Sequence, residues 1–198
     1  MTDLNFPIKF DFNISTLAND FTATDNQGKT LAYVRQKMFK LKEDIVIYQD
    51  ASKTKVNYTI KADKWLDFST SYSFKDPQGK ELGKVARKGW ASLWKANYDI
   101  IDQHQKPQYK IQEENAWVKV MDGVLGEIPI LGFFTGYLFN PTYKVMDPQG
   151  KVVMRLKKEP SFFGRKFTVS KVEETDADDD HRLMLSLMML VLLERRRG

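Results

Sequence analysis

The chain contains no cysteine and only two histidines, His104 and His181, among its 198 residues. The absence of cysteine excludes a disulfide scaffold and any thiolate metal site. Asp178 and His181 have a helical spacing that could hold a metal, but most metal sites use more imidazole or thiolate than this. The sequence also lacks a glycine-rich phosphate loop and a Gly-x-Ser-x-Gly elbow. We therefore predict no catalytic residue, no cofactor and no metal.

The chain also lacks a long apolar run of the kind that crosses a bilayer. Met1 to Phe12 contains acidic residues and no apolar core of a signal peptide, which predicts a cytoplasmic protein, at most peripheral to a membrane. The strongest apolar run, Leu183 to Leu193, is eleven residues long and is interrupted by Ser186. As a helix it would rise about 16 Å, against a hydrocarbon core of roughly 30 Å. The sequence therefore predicts a buried core helix over residues 182–196, with the acidic residues 176–180 at its N-cap.

An aromatic residue, an Asp and a Lys recur at spacings of four residues in four segments. Three of the four segments carry Gly immediately before the Lys, and two carry Pro immediately after the Asp, which is the chemistry of a type I turn that closes into a left-handed residue. This turn joins two antiparallel strands through a three-residue loop. The pattern predicts four β-hairpins, at Phe21/Asp25/Lys29, Tyr72/Asp76/Lys80, Tyr98/Asp102/Lys106 and Tyr143/Asp147/Lys151.

Further strand candidates bring the total to about a dozen short strands joined by short polar links. They are Ile8 to Phe12, Leu31 to Gln36, Ile45 to Gln49, Val56 to Lys61, Tyr109 to Gln112, Trp117 to Met121 and Lys166 to Val172. A dozen antiparallel strands favour closure, and the closed barrel has a lumen too wide for strand side chains alone. We predict a mainly β protein in which residues 1–198 form one domain, a closed antiparallel barrel around the hydrophobic C-terminal helix.

The chain resembles the LURP-one-related family, a branch of the tubby-like barrels that also includes the phospholipid scramblases. The residues that carry the likeness are the Asp-x-x-Gly hairpins, the apolar terminal helix, Tyr33 to Lys37 leading to Ile45 to Tyr48, and Gly83 to Lys88 before Tyr98 to Ile100. The resemblance covers about Asp20 to Arg195. It implies a twelve-stranded barrel with a central hydrophobic helix and implies little about activity. Tubby domains bind phosphoinositide headgroups, but no local motif here allows their basic residues to be carried over.

A cluster of basic and aromatic residues is the first candidate site. Lysine and arginine attract phosphates, whereas tryptophan prefers the boundary between apolar and wet surroundings, so the cluster could seat a barrel loop on an anionic bilayer. The alternatives are a solvated strand end with buried tryptophans and, less favoured, a surface that stacks single-stranded nucleic acid. The members of this cluster are Lys84, Arg87, Lys88, Trp90, Trp94 and Lys95.

The segment from Gly123 to Phe139 is the second candidate, because Glu127 is its sole charge. One interpretation is a membrane-inserting loop with an apolar tip formed by Phe133, Phe134, Tyr137 and Phe139. The other is a buried excursion that covers one mouth of the barrel.

A formal charge of +5 and a pI near 9.2 make contact with anionic surfaces plausible. Together with the two candidate segments and the family resemblance, the charge predicts a non-enzymatic barrel domain that binds anionic phospholipid or a membrane surface. A soluble scaffold or protein-interaction module without a lipid role is the alternative, and an uncharacterised enzyme is the third.

Overall fold

A computed structural model describes residues 4–13, 19–36, 44–63, 70–87, 96–114, 140–161 and 166–195 of the protein. In these residues, twelve antiparallel strands form a closed barrel in which each strand pairs with the next along the chain and the first pairs with the last. The predicted fold is therefore confirmed. The strands are β1 (Ile8–Phe12), β2 (Asp20–Thr24), β3 (Thr30–Gln36), β4 (Asp44–Tyr48), β5 (Val56–Ala62), β6 (Ser71–Lys75), β7 (Glu81–Arg87), β8 (Asn97–Ile101), β9 (Pro107–Glu113), β10 (Thr142–Met146), β11 (Val152–Glu159) and β12 (Lys166–Lys171). The predicted strand Trp117 to Met121 lies outside the described residues.

Alternation along each strand sends every second side chain into the barrel. In β1, for example, Ile8, Phe10 and Phe12 are buried, whereas Lys9 between them is exposed. These inward side chains of the twelve strands form one continuous hydrophobic core together with the C-terminal helix. The largest fully buried side chains include Tyr98 and Tyr143, two of the aromatic residues of the recurring hairpin pattern.

The four predicted hairpins are confirmed, and one carboxylate organises each turn. In every case the Asp Oδ1 accepts the backbone N–H groups two and four residues later, at 2.8–3.0 Å. The glycines of three turns have φ of +81° to +85°, and Gln105 takes the same place in the fourth turn with φ of +64°. An unpredicted fifth hairpin, at Asp50, has Lys53 at φ +59°. The pattern misses it because Val46 replaces the aromatic residue and Thr54 replaces the lysine.

Because each strand pairs with the next along the chain, the connections alternate between two distinct ends of the barrel. The turn end carries the five tight hairpins, between β2 and β3, β4 and β5, β6 and β7, β8 and β9, and β10 and β11. We call the loop end the opposite one, where the remaining connections of the barrel begin and end.

The helix α1 (Ala177–Arg195) enters the barrel from the turn end. It begins five residues before the predicted start, because Asp176 is the N-cap and its Oδ1 accepts the N–H of Asp179 at 2.8 Å. Leu183 to Leu192 are buried on every side, and the hydroxyl of Ser186 donates to the carbonyl of Arg182 at 2.8 Å. Within the described part of the chain, no helix has both the length and the apolar character needed to cross a bilayer.

Candidate functional site

The two segments that the sequence analysis singled out start and finish on neighbouring strands at the loop end. Residues 88–95 connect β7 to β8, and residues 115–139 lie between β9 and β10. The last residue of β7, Arg87, pairs with Tyr98 of β8. The N–H of Glu113 donates to the carbonyl of Ala96 at 3.2 Å, and the N–H of Glu114 donates to the carbonyl of Thr142 at 2.7 Å. The anchor residues of both segments are therefore held together by backbone hydrogen bonds.

The structure describes two of the six residues in the basic and aromatic cluster. Lys84 lies in the middle of β7, and Arg87 ends that strand at the loop end. Because side chains alternate along a strand, Arg87 lies on the face of Gly83 and Val85, which is the inner face, and Lys84 lies on the outer face. The two residues thus occupy opposite faces of the barrel wall, and Arg87 is the one at the rim.

The remaining members of both candidate sites lie outside the described residues, so these sites stay predictions. They are Lys88, Trp90, Trp94, Lys95, Phe133, Phe134, Tyr137 and Phe139. Among the residues that the structure does describe, Val172 is the single exposed large hydrophobic side chain, with 43% of its surface accessible. The surface of the described residues therefore has no apolar patch that would support the alternative of a protein-interaction module.

At the turn end, Arg182 of α1 is buried and joins the helix to two hairpins. Its Nε donates to the carbonyl of Leu82 at 2.9 Å, and one terminal nitrogen donates to Gln103 at 3.0 Å. The other terminal nitrogen donates to Gln108 at 2.6 Å and to the carboxylate of Asp179. In the sequence, Arg182 stands at the edge of an apolar run and nothing local indicates its partners, because these contacts span up to 100 residues of chain.

Gly83 makes the close approach of Arg182 possible. Its φ is +130°, a conformation that L side chains rarely adopt. A Cβ atom there would lie 2.4 Å from the carbonyl oxygen of Ile101 and 3.0 Å from the Cδ and Nε atoms of Arg182. Gly83 contributes to the family resemblance, but the sequence does not reveal its structural role, because nothing local marks a strand glycine that a distant arginine covers.

A second cation, which is mostly buried, fixes the start of α1. The ammonium of Lys171, at the end of β12, lies 2.8 Å from a carboxylate oxygen of Asp180, whose other oxygen accepts the hydroxyl of Thr175. Burial disfavours the charged form of Lys171, but its hydrogen bonds and charge interactions with Asp180 and Glu174 outweigh that effect and raise the pKa of Lys171. The acidic residues at the helix N-terminus therefore serve in part as structural anchors.

Two concave regions lie beside this anchored helix end. A cavity of about 230 Å³ is lined by residues of the hairpin turns and of α1, including Tyr58, Asp76, Lys80, Glu81, Asp178 and His181. A wider groove of about 460 Å³ runs over three hairpins and is lined by residues including Lys29, Thr30, Gln49, Lys55, Asn57 and Tyr58. Tyr58 and Asp76 line both, so the two regions adjoin each other, and we call them together the turn-end cleft.

Tyr58 and Asp76 stand at the junction of the two regions. Burial of the Tyr58 phenol, and then the negative charge of Asp76, raise the pKa of Tyr58 above its usual value. The phenol is therefore a neutral donor at physiological pH beside a fixed carboxylate. Asp178 and His181 also line the cleft, but the described residues contain no group of three or more His, Asp or Glu side chains placed to hold a metal ion.

Known proteins share features of this sequence and of this architecture. Residues 30–125 match the model of a family described as LURP-one-related. An X-ray structure of a protein from Arabidopsis thaliana superposes with a TM-score of 0.52 at 16% sequence identity, covering 98% of this chain and 94% of the other. At that identity the likeness concerns the fold. No curated protein matches the chain.

Proposed function

Because residues 30–125 match the LURP-one-related family model, we propose that the chain is a non-enzymatic barrel domain that binds an anionic phospholipid surface through its loop end. The observation that carries the proposal is the hydrogen-bonded arrangement of Ala96, Glu113, Glu114 and Thr142. These backbone hydrogen bonds hold the ends of two segments side by side at one end of the barrel. One segment is rich in Lys and Trp, and the other is rich in Phe.

The residue types of the two segments complement each other at a bilayer. Lysine and arginine near an anionic surface each contribute about 1 kcal/mol, and tryptophan prefers the interface itself. The aromatic residues of the longer segment supply apolar area that could enter the headgroup boundary. The helix α1 also runs towards the loop end, where it finishes at Arg195, and the sequence continues with Arg196 and Arg197.

The net charge of +5 supports the same direction of binding, since association with an anionic surface gains from long-range attraction. Asp178 and Asp179 lie in the first turn of α1, beside the hairpins of the turn end, and therefore away from the proposed contact surface.

The test is co-sedimentation of the full chain with vesicles that contain phosphatidylserine, compared with neutral phosphatidylcholine vesicles. We expect binding to the anionic vesicles at low salt and a marked loss at high salt, because exposed charges are screened. The double variant Lys88→Glu/Lys95→Glu should weaken binding about tenfold or more, given roughly 1 kcal/mol per charge removed.

The matched control places the same charge reversal at the other end of the barrel. Lys106→Glu/Lys151→Glu alters two exposed lysines of the turn-end hairpins and should leave most of the vesicle binding intact. Equal losses in the two double variants, or no binding of the parent chain to anionic vesicles at low salt, would refute the proposal.

A further inference from the structure

The turn-end cleft has the shape and the charge distribution of a ligand site that the lipid proposal does not use. We propose that it binds a small zwitterion, with an anionic phosphate or carboxylate group against Lys29 and Lys55 and an ammonium group against Glu81 and Asp178. This inference concerns the end of the barrel opposite to the proposed membrane surface and stands independently of it.

The size of the cleft suits a small molecule. The wider region measures about 460 Å³ and the narrower one about 230 Å³, and they adjoin each other at Tyr58 and Asp76. Small-molecule sites commonly enclose roughly 300–1,000 Å³, so the two regions together are large enough for a ligand with two charged groups.

The wider region favours an anion. Its two ammonium groups, on Lys29 and Lys55, come from separate hairpins, and Gln49, Asn57 and Thr30 add neutral donors. The carboxylate that lines this region is Asp76, at the junction, and its Oδ1 already accepts the N–H groups of Gln78 and Lys80 at 3.0 and 2.8 Å. Ammonium, amide and hydroxyl groups are the donors that a phosphate or carboxylate needs.

The narrower region favours a cation, although Arg182 forms part of its wall. The guanidinium of Arg182 is committed to four acceptors of the protein, one of which is the carboxylate of Asp179, so its charge is offset within the fold. Among the other lining residues, the three carboxylates of Asp76, Glu81 and Asp178 outnumber the one ammonium group, that of Lys80. Tyr58 contributes an aromatic ring, and such rings attract ammonium groups.

The alternation of charge gives the site its selectivity. A plain anion that fills the whole cleft would meet Glu81 and Asp178, and a plain cation would meet Lys29 and Lys55. A molecule with both charges, in the right order, satisfies both regions, which is discrimination by repulsion as well as by attraction. The walls are also fixed in advance, because the Asp76 carboxylate locks its own turn and Asp176 caps the helix beside it.

The test is isothermal titration of the full chain with O-phosphoethanolamine, with inorganic phosphate and with ethanolamine. We expect saturable binding of O-phosphoethanolamine and binding at least tenfold weaker for each of the two half-ligands, since one charged contact is worth about a factor of ten. Lys55→Gln and Glu81→Gln should each weaken binding of O-phosphoethanolamine about tenfold. Lys151→Gln, on a hairpin outside the cleft, should leave it unchanged.

A second arm identifies the source of the ligand. Soluble O-phosphoethanolamine that binds as described indicates a free metabolite. Binding that appears only with vesicles of phosphatidylethanolamine, and that Lys55→Gln and Glu81→Gln both weaken, indicates a lipid headgroup of the same chemistry. The proposal is overturned if inorganic phosphate binds as tightly as O-phosphoethanolamine, if the two variants change nothing, or if neither form binds. None of these results affects the loop-end test, which depends on Lys88 and Lys95.

Discussion

Removal of residues 182–198 should prevent the protein from folding into a soluble monomer. The deletion takes nine large apolar side chains that are at most 2% exposed out of the core: Leu183, Met184, Leu185, Leu187, Met188, Met189, Leu190, Val191 and Leu192. Burial of each contributes roughly 1.5–3 kcal/mol, so their sum of about 13–27 kcal/mol matches or exceeds the roughly 5–15 kcal/mol that stabilises a typical domain. The strands that remain would surround a lumen whose inward side chains no longer have a partner.

Size-exclusion chromatography and thermal melting of the truncated chain provide the measurement. The matched control deletes residues 196–198, which follow the last residue of α1, and should elute as the parent chain does and melt cooperatively. A truncation at residue 182 that is monomeric and melts cooperatively would mean that the helix does not fill the barrel.

The second large effect is expected for Arg182→Ala, which should destabilise the protein by about 1.5–3 kcal/mol. The substitution leaves Asp179 without its cation, and the side chains of Gln103 and Gln108 and the carbonyl of Leu82 without their shared donor. The carboxylate of Asp179 is mostly buried and loses its charged partner, whereas Gln103 is exposed and can bind water instead of the guanidinium. Because three of the four contacts join the helix end to the hairpins, the loss also loosens the turn end.

Urea unfolding followed by tryptophan fluorescence measures this loss as a lower midpoint. Arg155→Ala is the control, because Arg155 is exposed and its nearest carboxylate, that of Glu114, lies 3.7 Å away. An exposed pair of this kind is worth about 0–1 kcal/mol. Similar midpoints for the two variants would show that the Arg182 contacts contribute no more than a surface ion pair.

The sequence predicts the hairpins and the helix well because both depend on local chemistry. A carboxylate that accepts two N–H groups of its own turn needs no distant residue, and neither does the glycine or Gln105 that follows at positive φ. The helix is evident because an apolar run without a polar face must be enclosed by something. Counting the strands separately then leads to the closed barrel, since an open sheet of that width would expose its edges.

The residues that lock the barrel to its helix are not predictable in this way. The contact between Arg182 and the carbonyl of Leu82 joins positions 100 residues apart, and the need for glycine at position 83 exists only once that contact forms. The early start of α1 depends on Asp176, one of several acidic residues any of which could cap a helix. Choices of this kind are decided by tertiary packing, which leaves no local pattern.

The two candidate sites differ in the same respect. The loop-end residues are visible in the sequence because lysines and tryptophans cluster within a few positions of one another. The turn-end cleft is not, since its walls come from four hairpins and the helix, between Lys29 and Arg182. Its charges become one site only when the barrel closes and brings Tyr58 beside Asp76.

The most direct measurement for contact with a membrane through the loop end uses the absence of cysteine, because a single introduced thiol can be labelled selectively. An environment-sensitive fluorophore at Phe134→Cys should shift to the blue when phosphatidylserine vesicles are added. The same fluorophore at Gln78→Cys, on an exposed hairpin of the turn end, should not shift. A blue shift at position 78 without one at position 134, or no shift at either position in conditions where the protein sediments with the vesicles, would contradict the account.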